Sequence, residues 1–191
     1  MKKPVIERSL ILIKPDGVMK GLVGDIVKRF EQMRLNLVAM KMILADDRLA
    51  DQHYLFTESW ANALGEKTRE AYQKKGIELK ESNFELAQRV KKWNMSFLRE
   101  GPVVAFVVEG PHAVELGRKL VGNTEPRQAL PGTIRGDFSF DSYALSDAQQ
   151  RPVRNIIHAS GTVVEAEREI GLWFSADEIY KYRGLADHSI I

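Results

Sequence analysis

Two uninterrupted apolar runs, Leu10-Ile11-Leu12-Ile13 and Val103-Val104-Ala105-Phe106-Val107-Val108, constrain this chain more than any other feature. A strand with one wet face alternates apolar and polar residues, because successive side chains point to opposite sides of the sheet. A strand covered on both faces reads instead as a continuous apolar run. These two segments are therefore expected at the middle of a sheet. Leu35 to Leu44, interrupted by Asn36 and Lys41, and the short run Asn155 to Ala159 fit strands nearer the edges.

Helical spacing appears between the strands. Leu22, Val23, Ile26, Val27, Phe30 and Met33 recur on one side of a helix that turns Lys28, Arg29, Glu31 and Gln32 to the other. His112 to Val121 reads as a second helix, with Val114 and Leu120 among its apolar positions and Gly122 as its stop. A last helix begins near Thr162, where Thr162-Val163-Val164-Glu165 has the form of a capping box. It places Val163, Ala166, Ile170 and Trp173 on one face with Glu169 beside them. This order predicts an α+β, ferredoxin-like (split βαβ) sandwich, a four-stranded antiparallel sheet with helices on one face.

At 191 residues, residues 1–191 are expected to form a single domain. Insertions are expected at about 61–93 and 141–151. The first is rich in Lys, Glu and Gln and reads as solvated surface helices; the second reads as a polar connection. An apolar content of 44% and a charged content of 28% exclude disordered and fibrous classes. The net charge of +2, with basic residues scattered among acids, gives no footprint for nucleic acid. With no cysteine there is neither a disulfide framework nor a thiolate metal site. No apolar run approaches the roughly 18 residues of a membrane span, and the Met1-Lys2-Lys3-Pro4 start leads straight into a strand. A cytoplasmic protein is expected.

The chemistry-bearing fragments collect around His158. Asn155-Ile156-Ile157-His158-Ala159-Ser160 sets a histidine on a short β-branched run, ahead of the helix that carries Glu169. Upstream stand Lys14-Pro15-Asp16-Gly17, Arg118, Thr124 and Pro131-Gly132-Thr133-Ile134-Arg135-Gly136-Asp137-Phe138. Moving a phosphoryl group asks a protein mainly for positioning, positive charge and hydrogen-bond donors. Lys14, Arg118 and Arg135 offer charge, Thr124 a hydroxyl, and Gly132 and Gly136 a loop free to bend around an anion. An imidazole near its usual pKa of about 6.5 is largely neutral at pH 7 and nucleophilic without a separate base. Its other nitrogen needs a partner, either Glu169 or a backbone carbonyl, and which nitrogen reacts is left open. Asp16 and Asp137 form no ligand cluster, so no protein metal site is expected, and Asp137 reads as a loop-ordering partner for an arginine. His53, His112 and His188 have no supporting neighbours in the sequence and are assigned no role.

Taken together and in this order, the fragments resemble the nucleoside diphosphate kinase family over about Glu7–Glu58 and Gly101–Phe174. The resemblance implies a ping-pong kinase that takes the terminal phosphoryl group of a nucleoside triphosphate onto His158 and passes it to a diphosphate. It implies Lys14, Tyr54, Arg118, Thr124, Arg135 and Asn155 as nucleotide-binding residues, the lysine and arginines on phosphates and the asparagine on the sugar. It implies Ser160 and Glu169 as supports of the histidine. It also implies Mg2+ carried mainly by the nucleotide phosphates, and a homo-oligomer, tetramer or hexamer. Two departures stand out: Gly161 occupies the place of the family's aspartate after the serine, and Phe84, Val90 and Trp93 compete for the aromatic that stacks on the base. A catalytically weak nucleotide-binding or regulatory protein of the same fold is the alternative. A ferredoxin-like RNA-binding module is disfavoured because Phe106 reads as buried.

Overall fold

The computed structural model describes residues 5–73, 76 and 78–182; His188 lies outside them. Four strands, β1 (Ile6–Ile13), β2 (Asn36–Ile43), β3 (Val103–Pro111) and β4 (Ile157–Ala159), form one antiparallel sheet in the order β2-β3-β1-β4. The two apolar runs lie on the central strands, and the interrupted and short segments form the edges. Alternation explains the runs. Ile11, Ile13, Val104, Phe106 and Val108 enter one core, while Leu10, Leu12, Val103, Ala105 and Val107 enter another on the opposite face.

The first face is covered by α2 (Val23–Gln32) and α6 (Ala113–Val121), the two crossover helices, as a split βαβ arrangement requires. Phe30 of α2 meets Phe106 of β3 edge-on, with ring centroids 5.3 Å apart; each such buried side chain contributes roughly 1.5–3 kcal/mol. The second face, which the expectation of helices on one face left uncovered, is buried too. Helices α3 (Asp47–His53), α5 (Asn83–Leu98) and α9 (Val163–Trp173) bring Ala50, Leu98, Ile170 and Trp173 onto it. That is why the central strands have no wet face.

The expected insertions are structured. Residues 61–93 belong to α4 (Glu58–Gln73), α5 and their connection, and the two helices pack against each other. Residues 141–151 hold α8 (Tyr143–Ala148), capped by Ser142 and braced by the buried Asp141, whose carboxylate accepts from both Nη1 and Nη2 of Arg151. Among the described residues, no helix is long and apolar enough to cross a membrane.

Candidate active site

Local sequence builds the centre of the site around the β1 to α1 turn (α1, Pro15–Met19). Pro15 occupies the first helical turn, where its missing N–H costs nothing. Asp16, which burial raises above the usual carboxyl range against the pull of Lys14, accepts from the N–H of Gly17 (3.0 Å) and of Ile156 (3.1 Å). A Cβ on Gly17 would stand 2.8 Å from Ile13 Cγ2 and 3.0 Å from the Ile156 carbonyl, so glycine is what lets the two segments touch. Ile156 itself has φ +55°, a strained conformation for a β-branched residue that costs on the order of 1–3 kcal/mol. Asp16 and the Lys14 N–H, which donates to the Ile156 carbonyl at 2.8 Å, hold it there, two residues before His158.

β4 turns Ile157 and Ala159 into the first core and His158 to the opposite side, toward α9. His158 Nε2 lies 3.0 Å from Glu169 Oε2, and the Ser160 hydroxyl donates to the same oxygen at 2.7 Å. Glu169 is 1% exposed. Burial alone would raise its carboxyl pKa; attraction to His158 and the hydrogen bonds from His158 and Ser160 outweigh that and lower it. The partner left open by sequence reading is thus the carboxylate, and it engages Nε2, which leaves Nδ1 free.

Lys14 is buried, donates to Asn155 Oδ1 at 2.8 Å, and has its pKa lowered to about 7 by burial and the nearby Arg135, with Asp16 opposing. Asn155 spans the site, its Nδ2 donating to the Thr124 carbonyl at 3.1 Å. Arg135 is 6% exposed and donates to three carbonyls: Asn155 (3.1 Å), Gly122 (2.9 Å) and Ile157 (2.6 Å). Burial, then the neighbouring Arg118, lowers its pKa to about 10. Arg118 is exposed, and its guanidinium has no ion-pair partner among the described residues. Tyr54 packs on the second core with a buried hydroxyl that has no hydrogen-bond partner among the described residues; burial and then Glu169 push its pKa up.

Lys14, Tyr54, Arg118, Thr124, Arg135, Asn155 and His158 line one cleft of about 400 Å³, a volume suited to a small organic ligand; Ser160 and Glu169 stand behind it. Its other walls come largely from the expected insertions, with Leu64, Thr68 and Tyr72 of α4, Arg89, Val90 and Trp93 of α5, and Tyr143 and Asp147 of α8, joined by Trp60 just ahead of the first. Reading residues 61–93 as merely solvated helices is therefore corrected. Amphipathic periodicity shows that a helix has an apolar face, not what that face covers. Among the three candidates for the stacking aromatic, Val90 and Trp93 reach the cleft, whereas Phe84 is 52% exposed and packs on Phe56. The Tyr72 hydroxyl bonds the Asp147 carboxylate and so ties α4 to α8.

Two other expectations change. The Pro131–Phe138 loop bends around a carboxylate of its own: Gly132, in the left-handed region at φ +86°, donates its N–H to Asp137 Oδ1 at 2.8 Å, and Asp137 pairs with Arg29 at 2.5 Å. The loop's own carboxylate fills the place of the anion, as the reading of Asp137 expected. His53, assigned no role from sequence, is 4% exposed and sits against His158 with ring centroids 4.7 Å apart. No sequence spacing could reveal this, because α3 and β4 meet only in the fold. His112 is exposed at the start of α6.

Metal-ligating composition appears once among the described residues, where His53, His158 and Glu169 bring donor atoms within 4.8 Å of one another. The imidazole nitrogens facing Glu169 are already engaged: Trp173 Nε1 donates to His53 Nδ1 at 3.3 Å, and His158 Nε2 binds the carboxylate.

A protein-family model for nucleoside diphosphate kinase matches residues 7–63 and 84–179. A nucleoside diphosphate kinase of Pyrobaculum aerophilum is 41% identical over 179 residues, 91% of this chain and 98% of that one. One from Borreliella burgdorferi is 39% identical over 181 residues, 94% of this chain and 93% of its own. Among solved structures, the NDP kinase of Pyrobaculum aerophilum superposes with a TM-score of 0.89 at 40% identity, covering 93% of this chain and 100% of that chain. A transition-state mimic of the Borrelia burgdorferi enzyme with bound vanadate and ADP gives 0.79 at 37% identity, covering 96% of each. The chain belongs to the nucleoside diphosphate kinase family. The stretch that the family model leaves unmatched, residues 64–83, spans the end of α4, the connection and the start of α5.

Proposed function

We propose that this protein is an enzyme that transfers the terminal phosphoryl group of a nucleoside triphosphate to a nucleoside diphosphate, by a ping-pong mechanism through a phosphohistidine on His158. The observation that carries the reading is the engagement of His158 Nε2 by a buried, ionised Glu169, in a cleft that also holds Lys14, Arg118 and Arg135. A carboxylate on Nε2 fixes that nitrogen as the protonated one, so Nδ1 keeps the lone pair and is the nucleophile. When Nδ1 attacks the terminal phosphorus, the N–P bond forms as the bond to the bridging oxygen breaks, and the diphosphate leaves with that electron pair. Positive charge grows on the imidazole and is met by Glu169, with Ser160 fixing the carboxylate. The same steps in reverse deliver the group to a second diphosphate. The bound vanadate and ADP of the Borrelia burgdorferi structure support this chemistry for the family.

Arg118, Lys14 and Thr124 contact the phosphates. Arg135 works chiefly by clamping the carbonyls of the cleft floor, since three of its donors are engaged there. Asn155 orients Lys14 and offers its remaining N–H to the sugar. Tyr54 meets the phosphate end with its unpartnered hydroxyl, and Trp93 with Val90 walls the base. Magnesium fits as a cation carried by the nucleotide. Asp16 accepts from two backbone N–H groups and Asp137 is paired with Arg29, so phosphates and water, in place of protein carboxylates, would hold it. It neutralises phosphate charge. The chain works as one domain in the cytoplasm, as a homo-oligomer; the edge strand β2 supports the latter by exposing Met40 and Met42.

The test is incubation with γ-labelled ATP and magnesium. Label should appear on the protein, be acid-labile and be discharged by a second nucleoside diphosphate. Label that is absent, or that resists both acid and acceptor, overturns the reading.

A further inference from the structure

His53 takes no part in the mechanism above and does not line the cleft, yet it stands against two residues that the mechanism uses and a third, Trp173, that it does not. Its ring meets Tyr54 at 4.8 Å, His158 at 4.7 Å and Trp173 at 5.7 Å, all edge-to-face. Trp173 Nε1 donates to its Nδ1 at 3.3 Å. An indole N–H is a donor only, so Nδ1 must present a lone pair, and a neutral imidazole then carries its proton on Nε2. Burial, reinforced by His158, Lys14 and Arg168, pushes the His53 pKa well below the ordinary histidine value, in agreement with a neutral ring.

That tautomer has a consequence for Glu169. His53 Nδ1 lies 3.7 Å from Glu169 Oε1. A proton on Nδ1 would make His53 a competing donor, drawing the carboxylate away from His158. The Trp173 indole occupies that nitrogen instead, so the donors on the carboxylate are His158 and Ser160, both on Oε2, with the Arg168 guanidinium 3.7 Å from Oε1. The ring contact adds a second restraint. Packed at 83° to the His158 ring, His53 opposes rotation of the nucleophile about its Cβ–Cγ bond. Such a rotation would carry Nε2 off Glu169 and Nδ1 out of line with the cleft.

We infer that His53 is a positioning residue for phosphoryl transfer: a neutral imidazole, locked as the Nε2–H tautomer by Trp173, that packs edge-on against His158 and leaves Glu169 to it. The inference rests on His158 being the nucleophile. Two parts of it separate by substitution. His53→Phe keeps the ring but loses the acceptor for Trp173, whereas His53→Ala loses both.

The experiment measures the single-turnover rate of labelling by γ-labelled ATP and, separately, ADP affinity by calorimetry, on the full chain. With His53→Ala the labelling rate should fall tenfold to a hundredfold, the scale of a misaligned reacting group, while ADP affinity stays within about twofold because His53 does not line the cleft. His53→Phe should recover most of the rate. In histidine-15N spectra the parent's His158 should show one tautomer and the alanine variant a mixture. Labelling by His53→Ala within about twofold of the parent, or rate and affinity falling together in both variants, overturns the inference. If the alanine variant does not fold, Trp173→Phe serves: loss of the single His53 tautomer with slower labelling supports the inference, and an unchanged spectrum and rate overturns it. Failure of the parent to label at all would overturn the phosphohistidine reading, a separate result.

Discussion

The two ends of the cleft are built on opposite plans. At the His158 end several residues are fixed more than once: Glu169 by His158 and Ser160, Asn155 by Lys14 and the Thr124 carbonyl, Arg135 by three carbonyls, Ile156 by Asp16 and the Lys14 turn. These residues sit on or beside β1 and β4. At the far end the walls are helices appended to that sheet, and they present broad faces such as Trp60, Trp93 and Leu64. The difference teaches where precision is needed. A reacting nitrogen must be aimed to a fraction of an ångström, whereas a flat ring is held by any apolar surface of the right spacing.

The strongest way to break this comparison is His158→Gln, which should remove labelling and transfer by a factor on the order of a thousand or more. Steady turnover near that of the parent would place the chemistry elsewhere. Arg118→Ala and Arg135→Ala sharpen it next. Arg118 is exposed and has no ion pair among the described residues, so its loss should lower kcat/KM for all nucleotides alike by about 2–4 kcal/mol of transition-state stabilisation, with little change in Tm. Arg135→Ala should lower Tm as well, since three carbonyls lose their donor. Equal Tm for the two variants would contradict the clamping role.

Lys14 gives a pH test. Its pKa is about 7 in the free protein, and the charge of a bound nucleotide raises it, so binding takes up a proton above pH 7. ADP affinity should therefore fall as pH rises from 7 to 8.5, by up to about tenfold per unit. Comparison with Lys14→Arg over the same range cancels the titration of the nucleotide itself, and parallel profiles would refute the assignment. A smaller effect is expected at the far end. Trp93→Ala should raise KM about tenfold for purine and pyrimidine diphosphates together, the loss of one stacking contact of about 1–3 kcal/mol, and leave labelling capacity intact. A loss confined to one base would show that polar wall residues such as Thr68 and Arg89 read the base edge.

Gly161→Asp is the mildest test. Gly161 lies outside the left-handed region, and an added Cβ would meet only the movable end of Glu165, at 2.6 Å from Oε2. The Glu165 carboxylate already accepts from the Gly161 N–H, and Thr162 caps α9. An Asp would take over one cap while repelling Glu165, for a net change within about 1 kcal/mol in thermal unfolding and unchanged activity. A larger destabilisation would mean that Glu165, not the helix dipole, organises this turn.

What could be read directly followed from patterns local to the chain. Strand burial shows in Leu10–Ile13 and Val103–Val108 because the pleat has period two, and α2, α6 and α9 show in 3.6-residue spacing. His158, Lys14 and the arginines were legible because the fragments that carry them, taken together and in order, resemble the nucleoside diphosphate kinase family, and phosphoryl chemistry accounts for their side chains. Only the tertiary structure decided that α3, α5 and α9 cover the second face, that residues 61–93 and 141–151 wall the cleft, and that Trp93 reaches it while Phe84 does not. It also decided that Asp137 fills the loop where an anion was expected, that Arg135 grips backbone, and that His53 stands against His158. The reason is physical. Periodicity and side-chain chemistry belong to a residue and its near neighbours. The partner across a core is chosen by packing between segments far apart in the chain, 120 residues for His53 and Trp173 and 141 for Lys14 and Asn155, and no local pattern encodes it.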